Sequence, residues 1–304
     1  MDTQTTLAPH QPTSDHTAGE HAPLICTIGD LILDVLVLPN APVVPDGDRP
    51  ATIMLAGGGQ AANVAAWARF LGARSRLICA RGTDEASEIA VARLQHHGVE
   101  IRGPVIEGHG GVVVSTREPD GARTMASDRG VAALLNPSAL DPAWVRSAEV
   151  LHVSGYCLLR EPIAQAALAA ARAARRVTLD LASAPDVARY GAQRFTALVE
   201  ELNPAVIFAT EAERAAVPDL NAASWVIKRG ARGALFPEGH LDSIATEVTD
   251  TTGAGDALAA GYLLGGPSLA MIAAARCVAT IGAMPPSAPA TRTVGAMPPP
   301  TGAT

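Results

Sequence analysis

The sequence predicts an α/β protein built on a mostly parallel sheet with helices on both faces. Three observations point there. From about residue 149 onward, short apolar β-rich runs alternate with helical stretches of roughly 10 to 15 residues. Asp34, Asp180, Thr210 and Glu213 fall just after the ends of such runs, where parallel sheets bind ligands. Late in the chain, a Gly-rich turn runs directly into an apolar helix.

Residues 1–22 are polar, with neither a basic start nor an apolar centre, and are expected to be a disordered extension and not a secretory signal. LICTIGDLILDVLVL, residues 24–38, is the first β-rich run, broken by Gly29-Asp30 and by Asp34. An acid at a strand end is either a site residue or a turn former. TIMLA at 52–56 reads as a strand, and Val112 to Thr116 followed by Pro119-Asp120-Gly121 reads as a hairpin. Helices are expected at Asn63 to Leu71 and Ser87 to His97, with a buried strand at Arg76 to Ala80.

Strands then follow at Val150 to Ser154, Val177 to Leu181, Ala205 to Ala209, Trp225 to Lys228 and Ala234 to Phe236. Helices at Pro162 to Ala174 and Ala192 to Glu201 lie between them, and a last helix spans Leu269 to Ile281. The Pro-rich end is charge-poor and lacks periodicity, so residues 285–304 read as a disordered tail. The pentapeptide GAMPP occurs twice, at 282–286 and 295–299, with no physical reason visible in the sequence.

Chemistry concentrates in DTTGAGDALAAGYLLG, Asp250 to Gly265. Glycines let a backbone approach a ligand closely, and the first N–H groups of a helix have no internal partner. With the macrodipole, such a turn is an anion site. A carboxylate at its rim, Asp256, is suited to take the proton of a hydroxyl attacking a phosphoryl group. It would otherwise serve as an N-cap. A second Gly-rich stretch, Gly57-Gly58-Gly59-Gln60-Ala61-Ala62-Asn63, opens an Ala-rich helix early in the chain.

GG-x3-N early and DTTGAGD late, in that order, resemble the two signatures of the ribokinase/PfkB family of sugar and nucleoside kinases. The resemblance covers roughly residues 24–284. It implies a ribokinase-like three-layer α/β/α sandwich as one kinase domain, residues 23–284. A small β-sheet lid would be formed by segments about 36–56 and 99–128, which closes over the sugar and often dimerises. A lid excludes water that would otherwise take the phosphoryl group.

The resemblance also implies roles. Asp34 (with Asp30 the weaker candidate), Gly58, Gly59 and Asn63 would hold substrate hydroxyls. Asp256 would be the base, with the turn Gly253-Ala254-Gly255 as the anion hole. Lys228, Gly230, Gly233 and Thr252 would serve the nucleotide, ATP. Glu213 would reach Mg²⁺ through water, and Asp250 with Thr252 would line a monovalent-cation site for K⁺, completed by carbonyls near Gly282. Each has a plainer reading: a solvated helix start for Glu213, a hairpin turn for Gly230 to Gly233, a strand end for Lys228, a turn former for Asp250. Asp180 matches a strand-end acid near the phosphates, or is structural. Thr210 stands where the family usually has Asn, which puts the detail of metal binding, though not the reaction, in question.

Composition narrows the classes. Lys and Arg number 23 against 30 Asp and Glu, a net charge of −7. Such a chain has no evident means of gripping a nucleic-acid backbone or an anionic membrane. No apolar run is expected to reach the ~20 residues that span a bilayer. Cys26, Cys79, Cys157 and Cys277 lie far apart with no CxxC, and the eight His lack metal spacing. The cysteines read as buried thiols of a reducing, cytoplasmic compartment.

A sugar kinase is the leading expectation. A nucleoside kinase needs a flat apolar partner for the base. Aromatics are only 3%, and the lid segments contain none, so Tyr156 is the nearest ring. A catalytically dead sugar- or nucleotide-binding regulator is the rival from another class.

Overall fold

In the computed structural model, residues 21–41, 48–118, 123–220 and 224–286 are described. The expected tails up to residue 20 and from 287, and the hairpin turn at 119–122, lie outside them.

Strand β1 (Leu24–Ile28) ends at Gly29, and β2 (Ile32–Pro39) and β3 (Ala51–Gly58) follow as a separate pair. Next come α1 (Gln60–Phe70), β4 (Arg74–Ile78), α2 (Glu85–His96), β5 (Glu100–Arg102), β6 (Gly111–Arg117), β7 (Arg123–Asp128) and α3 (Ala143–Arg146). The alternating half holds β8 (Val150–Ser154), α4 (Ile163–Ala173), β9 (Val177–Asp180), α5 (Ala184–Tyr190), α6 (Ala192–Leu202), β10 (Val206–Thr210), α7 (Glu211–Ala216) and β11 (Trp225–Lys228). It closes with β12 (Ala234–Phe236), β13 (Gly239–Leu241) and α8 (Ala254–Val278).

The large sheet runs β13-β12-β11-β10-β9-β8-β1-β4-β5. It is parallel from β11 to β5, and β12 and β13 are antiparallel additions at one edge. Strand residues point alternately to the two faces, and the core divides accordingly. Cys26, Ile28, Ile207 and Ala209 pack under α4 and α6. Ile25, Val206 and Phe208 pack under α1 and α8, with Trp67 fully buried at the centre. Both faces are therefore covered, the three-layer arrangement the alternation predicts. Emptying the Trp67 site would cost about 3–5 kcal/mol.

The small sheet runs β3-β2-β6-β7. It departs from the expected lid in two ways. Strand β2 belongs to it from Ile32, so Asp34 lies within a strand of the small sheet, opposite Ala56 and Val113, and not just after a strand end. Strand β5, inside the expected segment 99–128, pairs instead with β4 of the large sheet. Leu33 is buried among Ala61, Ala65, Ala90 and Leu94 of α1 and α2 at the start of β2.

Helix α8 departs from expectation too. By length and composition it is apolar enough to cross a membrane, with a mean hydropathy of 1.5. The expectation that no such run exists therefore fails. The run is broken: Gly265 and Gly266 leave helical conformation, and Pro267, which has no N–H to donate, follows. The halves fold back closely, since a Cβ on Gly261 would lie 2.6 Å from the Leu269 carbonyl oxygen. Their apolar faces enter the core: Ala257, Ala259, Ala260, Ala270, Ala273 and Cys277 are all buried with Trp67.

Candidate active site

Two helix starts meet at the carboxyl ends of the central strands. Gly253 caps α8 with φ of 78°, a left-handed conformation that favours glycine. A Cβ there would lie 2.6 Å from the Cα of Ala283. Gly59 caps α1 with φ of 98°, and a Cβ there would collide with the Asp30 carbonyl. Both turns are thus set by backbone that passes too close for any side chain.

Asn63, in the first turn of α1, is 6% exposed, and its Nδ2 donates to Asp256 Oδ2 over 2.7 Å. Asn63 Oδ1 is buried with no partner. Desolvation and the negative charge of Asp180 push the Asp256 carboxyl up to about 7, against the Asn63 hydrogen bond and Lys228, which pull it down. The sequence placed Asn63 against the substrate; the structure also places it on Asp256. No local signal marks a contact between residues 193 apart.

Asp34 lies against Gly58, where any Cβ would meet its carboxylate. It is close enough to Asp256 to raise that group's pKa. Asp30 is instead tied to Arg129 at the end of β7, and Arg129 stacks over the Tyr156 ring at 4.8 Å. Neither Arg129 nor its pairing was visible from the sequence.

Beside the amide turn opens a cavity of about 620 Å³. Lys228, Gly230 and Gly233 line it, as do Ala254 and Gly255 of the turn. Its apolar wall comes from Ile244, Val248, Leu258 and Met271. The stretch carrying Ile244 and Val248 has no regular structure, and nothing in the sequence pointed to it. Gly233 also has a second duty, because a Cβ there would strike the Leu241 carbonyl across β12 and β13.

Lys228 Nζ donates to Asp180 Oδ1 over 2.6 Å, and Asp180 is fully buried. Burial pushes the Asp180 carboxyl up to about 6 even beside that ammonium. Burial alone would lower Lys228, but Asp180 and Glu213 outweigh it and its pKa is raised.

Glu213 and Asp250 each hold local structure. Glu213 closes a capping box with Thr210: its Oε2 accepts the Thr210 N–H at 2.7 Å, and Thr210 Oγ1 accepts the Glu213 N–H at 3.2 Å. Asp250 Oδ1 accepts from the Thr252 N–H and hydroxyl, and its Oδ2 accepts the Gly282 N–H at 3.0 Å. Asp250 thus joins its own turn to the loop at Gly282. Thr251, not Thr252, lines the cavity. All four cysteines are free and buried.

The first GAMPP copy has a structural role. Ala283 and Met284 are buried, and the Ala283 carbonyl accepts from Trp67 Nε1 at 2.9 Å. Ala283 thus backs the Gly253 turn. The second copy lies outside the described residues.

Residues 22–270 match the profile described as pfkB family carbohydrate kinase. Fructokinase-2 of Zea mays is 27% identical over 270 residues, covering 79% of each chain. A probable sugar kinase from Rhizobium etli superposes with a TM-score of 0.76 at 22% identity, covering 87% of this chain and 95% of that one. A putative ribokinase II from E. coli, solved with ATP and Mg²⁺, does so at 0.71 and 20% identity, covering 86% and 94%. At those identities the two structures establish the ribokinase-like fold. The profile match over most of the chain establishes more: the protein belongs to the pfkB family of carbohydrate kinases, phosphotransferases with an alcohol group as acceptor.

Proposed function

We propose that the protein transfers the γ-phosphoryl group of ATP to a hydroxyl of a small sugar, with Asp256 as general base. The observation that carries this is the setting of Asp256: in the first turn of α8, oriented by Asn63 of α1, near enough to Asp34 for that charge to act on it, and with its carboxyl raised to about 7. A base with a pKa near the working pH transfers protons most effectively.

The sugar lies against Asp34, Gly58, Gly59 and Asn63. Its reacting hydroxyl gives its proton to Asp256 as its oxygen bonds to the γ-phosphorus. The bond from that phosphorus to the bridging oxygen breaks, and ADP leaves. The amides of the turn from Gly253 to Asp256 stabilise the charge on the transferred group. The apolar wall of the 620 Å³ cavity takes the nucleotide base, and Lys228, Gly230 and Gly233 face its phosphates.

Among the described residues no group of three or more His, Cys, Asp or Glu comes together to hold a metal. Mg²⁺ fits here as a companion of the nucleotide, ligated by phosphate oxygens and water, with Glu213 reached through water. It would neutralise phosphate charge. Asp250, whose oxygens accept from Thr252 and the Gly282 N–H, and Thr252 would line a site for a monovalent cation such as K⁺.

The outer face of the small sheet carries Ile53, Leu55 and Val114, which are 62%, 42% and 37% exposed. Register puts Leu55, Val35 and Val114 side by side. A second copy of the chain covers this patch in the proposed assembly, and sedimentation of wild type against Ile53→Lys tests it.

Turnover of ATP with a panel of small sugars and nucleosides tests the reaction. ADP production with a sugar is the expected result. Ligand-induced shifts in Tm with no ADP would make the protein a binding regulator instead.

A further inference from the structure

Arg129 directly follows β7, the last strand of the small sheet. Its Nη1 donates to Asp30 Oδ2, at the crossing from β1 to β2, and the two side chains are only 17% and 7% exposed. The guanidinium carbon lies over the Tyr156 ring, 4.8 Å from its centroid. A sheltered ion pair is a poor way to gain stability, because desolvation of both charges offsets their attraction. Its effect here is to hold a planar cation over an aromatic face.

The cluster borders the sugar side of the site. The Asp30 carbonyl presses on the turn that starts α1: a Cβ on Gly59 would lie 2.3 Å from its oxygen. Ser154, two residues before Tyr156, donates to Gln60 Oε1 over 2.6 Å, and Gln60 is the residue after Gly59. Tyr156 itself follows β8, at the carboxyl end where parallel sheets take ligands.

A purine or pyrimidine base binds largely by stacking on a ring, and Tyr156 is the ring beside Gly59. Other rings lie elsewhere. Trp67, Phe195 and Phe208 are fully buried, and Trp225 begins β11, at the opposite end of the sheet.

On the sugar-kinase reading above, we propose that Arg129 is a specificity-determining residue, which covers the face of Tyr156 and so denies a nucleoside base its stacking platform. The acceptor is thereby confined to a compact sugar. Asp30 holds the cover in place. Discrimination of this kind works against the wrong ligand and adds no contact to the right one.

Calorimetry with adenosine and uridine as probes tests this, in the presence of a saturating non-hydrolysable ATP analogue that fills the nucleotide cavity. Arg129→Ala uncovers the ring and should bind both nucleosides roughly tenfold or more tighter than wild type, the scale of base stacking on an aromatic side chain. Arg129→Met removes the charge but keeps a side chain over the ring, so it should remain close to wild type. Arg129→Ala/Tyr156→Leu has no ring to uncover and should lose the gain. If Asp30 without its partner prevents Arg129→Ala from folding, Arg129→Ala/Asp30→Asn takes its place with the same expectation.

Wild type that binds the nucleosides as tightly as Arg129→Ala would overturn the proposal. So would an equal gain in the Met and Ala variants, or a gain that survives loss of the Tyr156 ring. Loss of sugar binding in Arg129→Ala without a gain for nucleosides would overturn it too, making Arg129 a sugar contact. ADP production by wild type with sugars is scored separately. Its absence refutes the kinase reading, whereas turnover with unchanged nucleoside binding in Arg129→Ala refutes only the role of Arg129.

Discussion

Asn63 Nδ2 and Asp256 Oδ2 lie 2.7 Å apart, a hydrogen bond that joins the first turn of α1 to the first turn of α8. It ties the two Gly-rich turns into one site. It also sets the chemistry, because a donor on the ionised carboxylate favours the charged form.

A pH dependence follows. Asp256 must be ionised to accept a proton, and its carboxyl is raised to about 7. kcat/KM should therefore fall about tenfold per unit of pH below that value and level off above it. Asn63→Ala removes the donor, so the acidic limb should move to higher pH. Turnover at pH 7 should fall by roughly tenfold or more, from losing a hydrogen bond to a charged group worth ~1.5–3 kcal/mol. A variant with lower turnover but an unmoved limb would leave Asn63 a substrate contact alone. pH–rate profiles of both proteins decide.

Gly253→Ala should disable the turn. The residue's φ is 78°, and the new Cβ would sit 2.6 Å from Ala283. Backbone strain of this kind costs of order 1–3 kcal/mol before any clash. Tm should drop and ATP affinity weaken, both measurable by thermal shift with and without nucleotide.

Asp34→Ala addresses the sugar side. Loss of a charged acceptor should raise the sugar KM by roughly tenfold or more, at ~1.5–3 kcal/mol per bond, with the ATP constant nearly unchanged. Equal effects on both constants would make Asp34 a folding residue of the lid.

The same residue marks where sequence reading stopped. Strands β8, β11 and β12 were legible to the residue, since each is a short apolar run between turn formers. Asp34 was expected just after a strand end, whereas it lies within β2, and Gly29-Asp30 is the crossing between the two sheets. Strand β13 is three exposed residues, Gly239–Leu241, too short to carry an apolar pattern, and it is set by its pairing with β12. The amide turn, Asp256 and Asn63 were legible because glycine spacing is local. The pairing of Asp180 with Lys228, of Asp30 with Arg129 and of Trp67 with Ala283 was not, since each joins distant segments.

The chain's end supplies another test. A protein ending at Pro286 keeps the Trp67–Ala283 and Asp250–Gly282 bonds. Its Tm and both Michaelis constants should match those of the full chain. One ending at Ile281 loses both bonds and the Ala283 backing of the Gly253 turn, so its Tm and ATP affinity should fall together. A selective rise in the ATP constant for the Pro286 form would give residues 287–304 a role at the nucleotide cleft.

The account rests most heavily on Asp256, and Asp256→Asn tests it most directly. The substitution keeps the size and leaves an oxygen for Asn63, while removing the basicity. Turnover with ATP and the sugar that the wild type phosphorylates should fall by roughly 10² to 10⁴-fold, the usual contribution of a general base. Nucleotide binding measured by calorimetry should stay within a few-fold. A variant that keeps more than half of the wild-type turnover would contradict the assignment of Asp256 as the base.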